Sequence, residues 1–116
     1  GSDFEDWAYC YFAEDGENVN TPIVRELVYE DFITASKSKR DFWTLQRFTK
    51  ALRSFAELCP YIAEMNPIDL LNKSGRYLQK IDGKTKEMIF MRTKLKNGEP
   101  VAFVPQTESS DGNAPF

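Results

Sequence analysis

Residues 76–93, RYLQKIDGKTKEMIFMRT, decide the fold class of this chain. Two runs of strand-forming residues flank Asp82-Gly83, a dipeptide that favours the two-residue turn of a β-hairpin. We therefore expect paired strands near 76–81 and 87–93. The same stretch is rich in lysine and arginine, so the hairpin would also present positive charge to its surroundings.

Three segments before the hairpin have apolar residues at helical spacing, and we expect helices near 4–13, 22–36 and 45–58. Thr21-Pro22 places a hydroxyl cap before a proline, which is a specific start signal for the second helix. Thr44 is the candidate cap of the third helix. The residues expected to form the core are Leu27, Phe32, Phe48, Leu52, Phe55 and Ile89.

The order of these elements predicts an α+β domain that is winged-helix-like, with two to three helices followed by a β-hairpin or a three-stranded meander. The third strand would lie at 101–104, after the turn signal Asn97-Gly98. At 116 residues the chain is one domain by length. We place that domain at 1–104, with an N-terminal helix and loop at 1–20. The polar composition of 105–116 is typical of a C-terminal tail.

Charge is sorted by position along the chain. Residues 1–36 carry nine acids and one base, and residues 37–96 carry fourteen bases and six acids. The last twenty residues carry three acids and no base. A basic block inside an otherwise acidic chain indicates a surface that binds polyanions. The alternative is that the acidic first segment neutralises the basic middle on folding.

The bases fall where a winged helix would contact DNA: the break before the third helix, the outer face of that helix, and the hairpin. Cationic side chains there could reach backbone phosphates. The predicted DNA contacts are Lys39, Arg40, Gln46, Arg47, Lys50, Arg53, Arg76, Lys80, Lys84, Lys86 and Arg92. The plainer alternatives are a solvated helix face and a hairpin whose lysines prevent edge pairing. Phe42 and Trp43 could form a base-stacking platform, but core anchors for the third helix are the favoured interpretation.

Several function classes are excluded by composition. The chain has no histidine, which removes the commonest general base and the commonest metal ligand. Its two cysteines cannot make a disulfide framework or a zinc site, and the acids of 14–17 lack EF-hand spacing. No apolar run is long enough to cross a membrane. We therefore expect a cytoplasmic binding module with no enzyme activity, no metal, no cofactor and no membrane partner.

Five stretches carry a resemblance to a known family: Asn20–Phe32, Asp41–Phe48, Asn66-Pro67, Gly75-Arg76 and Asp82–Phe90. They resemble the C-terminal end of primase–helicase proteins of phages, plasmids and integrated mobile elements, of the poxvirus-like superfamily-three type, notably from Bacteroides-type bacteria. The resemblance spans most of residues 4–93. It implies a winged-helix-like module that follows an ATPase motor in a longer primase–helicase chain. The chain has no Walker motif, so no ATPase activity is expected of this part alone.

The expected function is that of a nucleic-acid-binding accessory domain in DNA replication or mobile-element transfer. Its partners would be the rest of the longer primase–helicase chain and nucleic acid, DNA rather than RNA, contacted mainly through phosphate. The alternative is a protein–protein adaptor or intramolecular docking module without nucleic-acid binding. In that case the acids of residues 3–31 and the aromatic N-terminal helix would dock the partner.

Overall fold

The computed structural model describes residues 2–36 and 42–101, and within them the chain is an α+β domain, as predicted. The elements run α1 (Ser2–Tyr11), β1 (Pro22–Val24), α2 (Arg25–Ser36), α3 (Leu45–Leu58), β2 (Ile62–Met65), a short 3-10 helix (Ile68–Leu70), β3 (Leu78–Ile81) and β4 (Lys84–Thr93). The strand predicted at 101–104 and the tail at 105–116 lie outside the described residues, apart from Val101. The winged-helix assignment stays a prediction.

The ten-residue strand β4 is the centre of the sheet, and each of the other described strands pairs with it in antiparallel fashion. On one side, Ile23 of β1 lies opposite Ile89. On the other side, β2 pairs with the end of β4 and β3 pairs with its beginning. The backbone N–H of Asn66 donates to Phe90 O and that of Met88 donates to Tyr77 O. In an antiparallel sheet, alternate residues of a strand form their backbone hydrogen bonds toward the same edge. Met88 and Phe90 are alternate residues, so β3 and β2 lie one after the other along the same edge of β4.

The predicted hairpin and the predicted cap of α3 are both confirmed. Asp82 and Gly83 have backbone φ of 52° and 80°, as a two-residue turn with left-handed residues requires. At the start of α3, the Thr44 hydroxyl accepts a hydrogen bond from the Arg47 backbone N–H at 3.1 Å. Both signals are local, since each acts within a few residues of its own position.

Two short strands correct the sequence prediction. Pro22–Val24 forms β1 rather than the first turn of a helix, so α2 begins at Arg25. Proline is compatible with an edge strand, and the β-branched residues Ile23 and Val24 suit pairing with β4 better than a helix start. Ile62–Met65, predicted as part of a connector, forms β2. Both strands take their conformation from a partner far along the chain.

The core is a cluster of aromatic rings between the three helices, closed by β4. Phe32 and Phe48 stack at 5.5 Å between ring centroids, and Leu52 and Ile89 are fully buried. Phe55 is buried as well, so five of the six predicted core residues are confirmed.

Leu27 is the exception among the predicted core residues, at 58 % exposed. The buried side of α2 is formed by Val28, Phe32 and Ile33, so Val28 rather than the adjacent Leu27 faces the core. Leu27 therefore points away from the core, toward solvent.

Two asparagines in the left-handed backbone region form hydrogen bonds to β4, one at each edge of the strand. Asn20, with φ of 61°, donates its backbone N–H to Met91 O at 2.7 Å. Its side chain accepts from the Thr93 N–H and donates to the Thr93 hydroxyl, both at 3.0 Å. Asn66, with φ of 54°, accepts from the Phe90 N–H at 2.8 Å through its side chain. Asparagine tolerates this backbone region and carries both a donor and an acceptor, so each residue ends a segment and fastens it to β4.

Candidate nucleic-acid interface

An open cavity of about 620 Å³ lies along the first two turns of α3. Its lining residues are Arg25, Thr44, Gln46, Arg47, Thr49 and Lys50. Arg25 is the first residue of α2 and reaches across to α3, where its guanidinium donates to the Thr49 hydroxyl at 3.4 Å. The cavity is therefore bounded on one side by the outer face of α3 and on the other by the start of α2.

A second cavity, of about 310 Å³, lies over the β3–β4 hairpin. Its lining residues are Val24, Arg25, Glu26, Arg76, Leu78, Thr85, Lys86 and Glu87. Arg25 lines both cavities. We call the two together the basic groove, because five bases and two acids line it, for a net charge of +3.

Glu87 organises the hairpin half of the basic groove. Its carboxylate lies 3.0 Å from the Arg76 guanidinium and 3.2 Å from that of Arg25. The hydrogen bond from Arg76 is the largest cause of a lowered Glu87 pKa, and the charges of Arg25 and Arg53 lower it further against the opposing effect of burial. One ionised carboxylate therefore sits among three guanidinium groups, which leaves an excess of positive charge around it.

Arg25 is held in place by its terminal nitrogens. One donates to Thr49 and the other to Glu87, and the side chain is 23 % exposed. Its Nε is buried without a hydrogen-bond partner among the residues that the structure describes. Arg25 therefore joins α2, α3 and β4 at the middle of the basic groove.

The outer face of α3 supplies the other half of the groove. Arg47 is exposed, its guanidinium donates to the Phe42 carbonyl, and it lies over the Phe42 ring at 4.7 Å from the centroid. Lys50 and Arg53 are also exposed on this face. The charge of Arg53 is also one of the causes that lower the pKa of Glu87 in the hairpin.

The structure brings together about half of the predicted contact residues. Those that line the basic groove are Gln46, Arg47, Lys50, Arg76 and Lys86. Arg53, Lys80 and Lys84 are exposed on the same two elements without lining it. Lys39 and Arg40 lie outside the described residues.

Arg92 is placed apart from the basic groove. Its guanidinium pairs with Glu64 of β2 at 2.9 Å and donates to Val101 O at 2.7 Å, and its side chain is 18 % exposed. These contacts fasten the end of β4 to its neighbours, which gives Arg92 a structural role.

Sequence reasoning missed Arg25 as a site residue. It is the single base among the first 36 residues, which made it look like an isolated charge in an acidic segment. Arg25 lies in the groove because β1 pairs with β4, and no local sequence pattern predicts that pairing. The one sequence feature that sets Arg25 apart is that it is a base within an acidic segment.

Among the described residues, the N-terminal acids make one ion pair with a base of the basic groove. Glu26 alone among them forms an ion pair with a base, Lys86, at 3.9 Å, and Glu26 is 65 % exposed. Such a long, exposed pair contributes little. The other ion pairs of the described chain use Glu87 and Glu64. Direct pairing between the N-terminal acids and the bases of the groove is therefore limited, in the described part of the chain, to Glu26 and Lys86.

The adjacent residues Phe42 and Trp43 have different environments in the fold. Trp43 packs against Phe4 and Phe32, with centroids 5.7 Å and 4.9 Å apart, which confirms it as a core anchor. Phe42 is 55 % exposed beside Arg47. The expectation that both rings anchor the helix is therefore wrong for Phe42.

An apolar cavity of about 340 Å³ lies between α1 and α3, on surface that does not include the basic groove. Its lining residues are Phe4, Glu5, Tyr9, Trp43, Ala51, Ser54, Phe55 and Leu58. Leu58 is 80 % exposed and Tyr9 45 %. This is the surface on which an adaptor function would depend.

Within the described residues, no helix is both long and apolar enough to span a membrane. In that same part of the chain, no three Cys, Asp or Glu side chains are grouped so as to hold a metal ion. No protein-family model matches the chain, and comparison with curated proteins and with solved structures found no similar protein.

Proposed function

We propose that this domain binds DNA through the backbone phosphates, which would lie along the basic groove. The observation that carries the proposal is that Arg25 lines both the cavity along α3 and the cavity over the hairpin. Phosphate contacts supply most of the affinity in sequence-independent binding, and they need positive charge arranged along a path.

The groove offers the donors that phosphate binding uses. Arg25 and Arg76 are oriented by Glu87, so little side-chain entropy is lost when a phosphate oxygen binds. Arg47 and Lys50 stand one turn of α3 apart and are exposed. Gln46 is the neutral side chain on this face that could meet a base edge. Binding of this kind has little sequence preference.

The arrangement of elements supports the same proposal. The pair α2–α3 and the β3–β4 hairpin are the parts that a winged-helix domain presents to DNA. With the resemblance to primase–helicase proteins, they favour an accessory DNA-binding module of a longer replication or mobile-element protein. The role is one of binding, and the motor chemistry would belong to the rest of such a chain.

Fluorescence anisotropy with labelled oligonucleotides in low salt tests the proposal. Contact with ~4–5 phosphates implies a log–log slope near −4, so affinity should fall a few-hundred-fold between 50 and 200 mM salt. Replacing Arg47 and Lys50 together with alanine should weaken binding to all sequences and flatten the slope by up to ~2.

The matched control removes the same charge elsewhere. Lys94 and Lys96 are exposed and do not line the groove, so their double alanine variant should keep the parental slope. Equal effects of the two double variants would show that net charge alone drives binding and that the groove is not the site. No binding at tens of micromolar folded protein would reject DNA binding and favour the adaptor function, with the apolar α1–α3 cavity as its candidate surface.

A further inference from the structure

Phe42 is an exposed aromatic ring in contact with Arg47, which lines the basic groove. The ring is 55 % exposed, whereas the neighbouring Trp43 is packed into the core. What distinguishes Phe42 from the other exposed apolar side chains is that Arg47, a base that lines the basic groove, lies over its ring. Phe42 lies two residues before Thr44, which lines the groove.

The orientation of the Phe42 ring is set by two contacts. The Arg47 guanidinium lies over the ring at 4.7 Å from its centroid and donates to the Phe42 carbonyl. The Trp43 ring meets it edge-on at 5.3 Å, with an interplanar angle of 87°. Arg47 itself lines the groove, so a strand whose phosphate binds Arg47 would bring its base close to Phe42.

We propose that the domain prefers single-stranded DNA, with one unpaired base stacked on the exposed part of the Phe42 ring while the adjoining phosphates lie in the basic groove. This inference rests on the proposed function and names its substrate class. Bases in a duplex already stack on each other, and only an unpaired base offers its face to a protein ring. Phosphate contacts alone would bind both forms.

The proposal predicts a selective effect of Phe42. Loss of a base–aromatic stack reduces single-strand affinity by roughly tenfold to a hundredfold. Phe42→Ala should therefore weaken binding of an oligothymidine strand by at least ~10-fold and leave duplex affinity within about twofold. Phe42→Trp should retain single-strand binding, and Phe42→Leu, which is apolar but has no ring, should lose it.

The experiment is anisotropy of the full chain with oligothymidine and with a duplex of equal length, at one low salt concentration. A 2-aminopurine base in the single strand gives a second readout, because its fluorescence falls when it stacks on a ring. The parent and Phe42→Trp should quench it, and Phe42→Ala should not. Thermal melts of all variants confirm that they fold.

The outcomes separate this inference from the proposed function. Binding of neither DNA form would defeat both. Equal affinity for the two forms, with no effect of Phe42→Ala, would overturn the single-strand preference and leave phosphate binding intact. A loss of affinity that is equal for both forms would mean that Phe42 only positions Arg47, which also overturns the stacking role. Retained binding and quenching by Phe42→Leu would do the same.

Discussion

Replacing Asn20 with alanine is expected to destabilise the domain by about 3 kcal/mol. The buried Thr93, 4 % exposed, uses the Asn20 side chain for both its backbone N–H and its hydroxyl. Leaving a buried polar group without a partner costs ~1–3 kcal/mol, and we take about 2 kcal/mol for this site. Alanine at a φ of 61° adds about 1 kcal/mol of backbone strain.

Two further variants divide this cost into its parts. Asn20→Gly keeps the left-handed backbone and loses the side-chain bonds, so it should cost about 2 kcal/mol. Asn20→Asp can still accept hydrogen bonds from both the N–H and the hydroxyl of Thr93, so its cost should stay within about 1 kcal/mol. Since a 116-residue domain shifts by about 4 °C per kcal/mol, the alanine variant should melt about 12 °C below the parent.

Urea denaturation monitored by circular dichroism, with a thermal melt beside it, measures all three variants. The order of stability should be parent, aspartate, glycine, alanine. If Asn20→Ala and Asn20→Asp were equally stable, the hydrogen bonds between the Asn20 side chain and Thr93 would contribute nothing to the stability of the fold. A second check is Thr93→Val, which should cost less in the Asn20→Ala background than in the parent, because the hydroxyl there has already lost its partner.

Three further variants probe other parts of the fold. Phe48→Ala should cost ~3–5 kcal/mol because the ring is fully buried. Leu27→Ala should change stability by no more than ~0.5 kcal/mol because Leu27 is 58 % exposed. Equal urea midpoints for these two variants would contradict the core described above. The lowered pKa of Glu87 means that its charge stabilises the fold above its ordinary pKa and that this contribution is lost as pH falls through the folded pKa. Glu87→Gln should therefore be less stable than the parent at pH 7, and melts between pH 7 and pH 3 should show the difference shrinking as pH falls; a constant difference would contradict the lowered pKa. Gly83→Ala has open space for a Cβ but a φ of 80°, so a cost of ~1–2 kcal/mol from the backbone alone is expected, and an unchanged urea midpoint would mean that the turn adapts.

The sequence was sufficient for the elements whose signals are local. The hairpin follows from Asp82-Gly83, and α3 follows from its Thr44 cap and its apolar stripe. It was insufficient for β1 and β2, because three or four residues carry too little periodicity to outweigh a helix or connector pattern. Ile23 becomes a strand residue because Ile89, far along the chain, pairs with it.

The residues of the candidate site also differ in whether the sequence could predict them. Arg47 and Lys50 could be predicted because a helix face can be read from spacing. Arg25 could not, since its place in the groove depends on how β1 meets β4. The exposure of Phe42 beside the partly buried Trp43 could not be predicted from the sequence either, because adjacent aromatic residues look alike until the packing around them is known.

The position of β4 also bears on how the domain folds as it is made. Every strand pairing in the described residues requires β4, and about 60 residues separate it from β1. At ~5–20 residues per second, a ribosome needs roughly 3–12 s to make that stretch. Until β4 is made, the helices and the strands β1, β2 and β3 lack the strand that completes their sheet and closes their core. The long-range pairing that follows is slow to form. A nascent chain that stops before Lys84 would therefore expose apolar faces and unpaired strands together, which are the features that make an incomplete chain prone to aggregate.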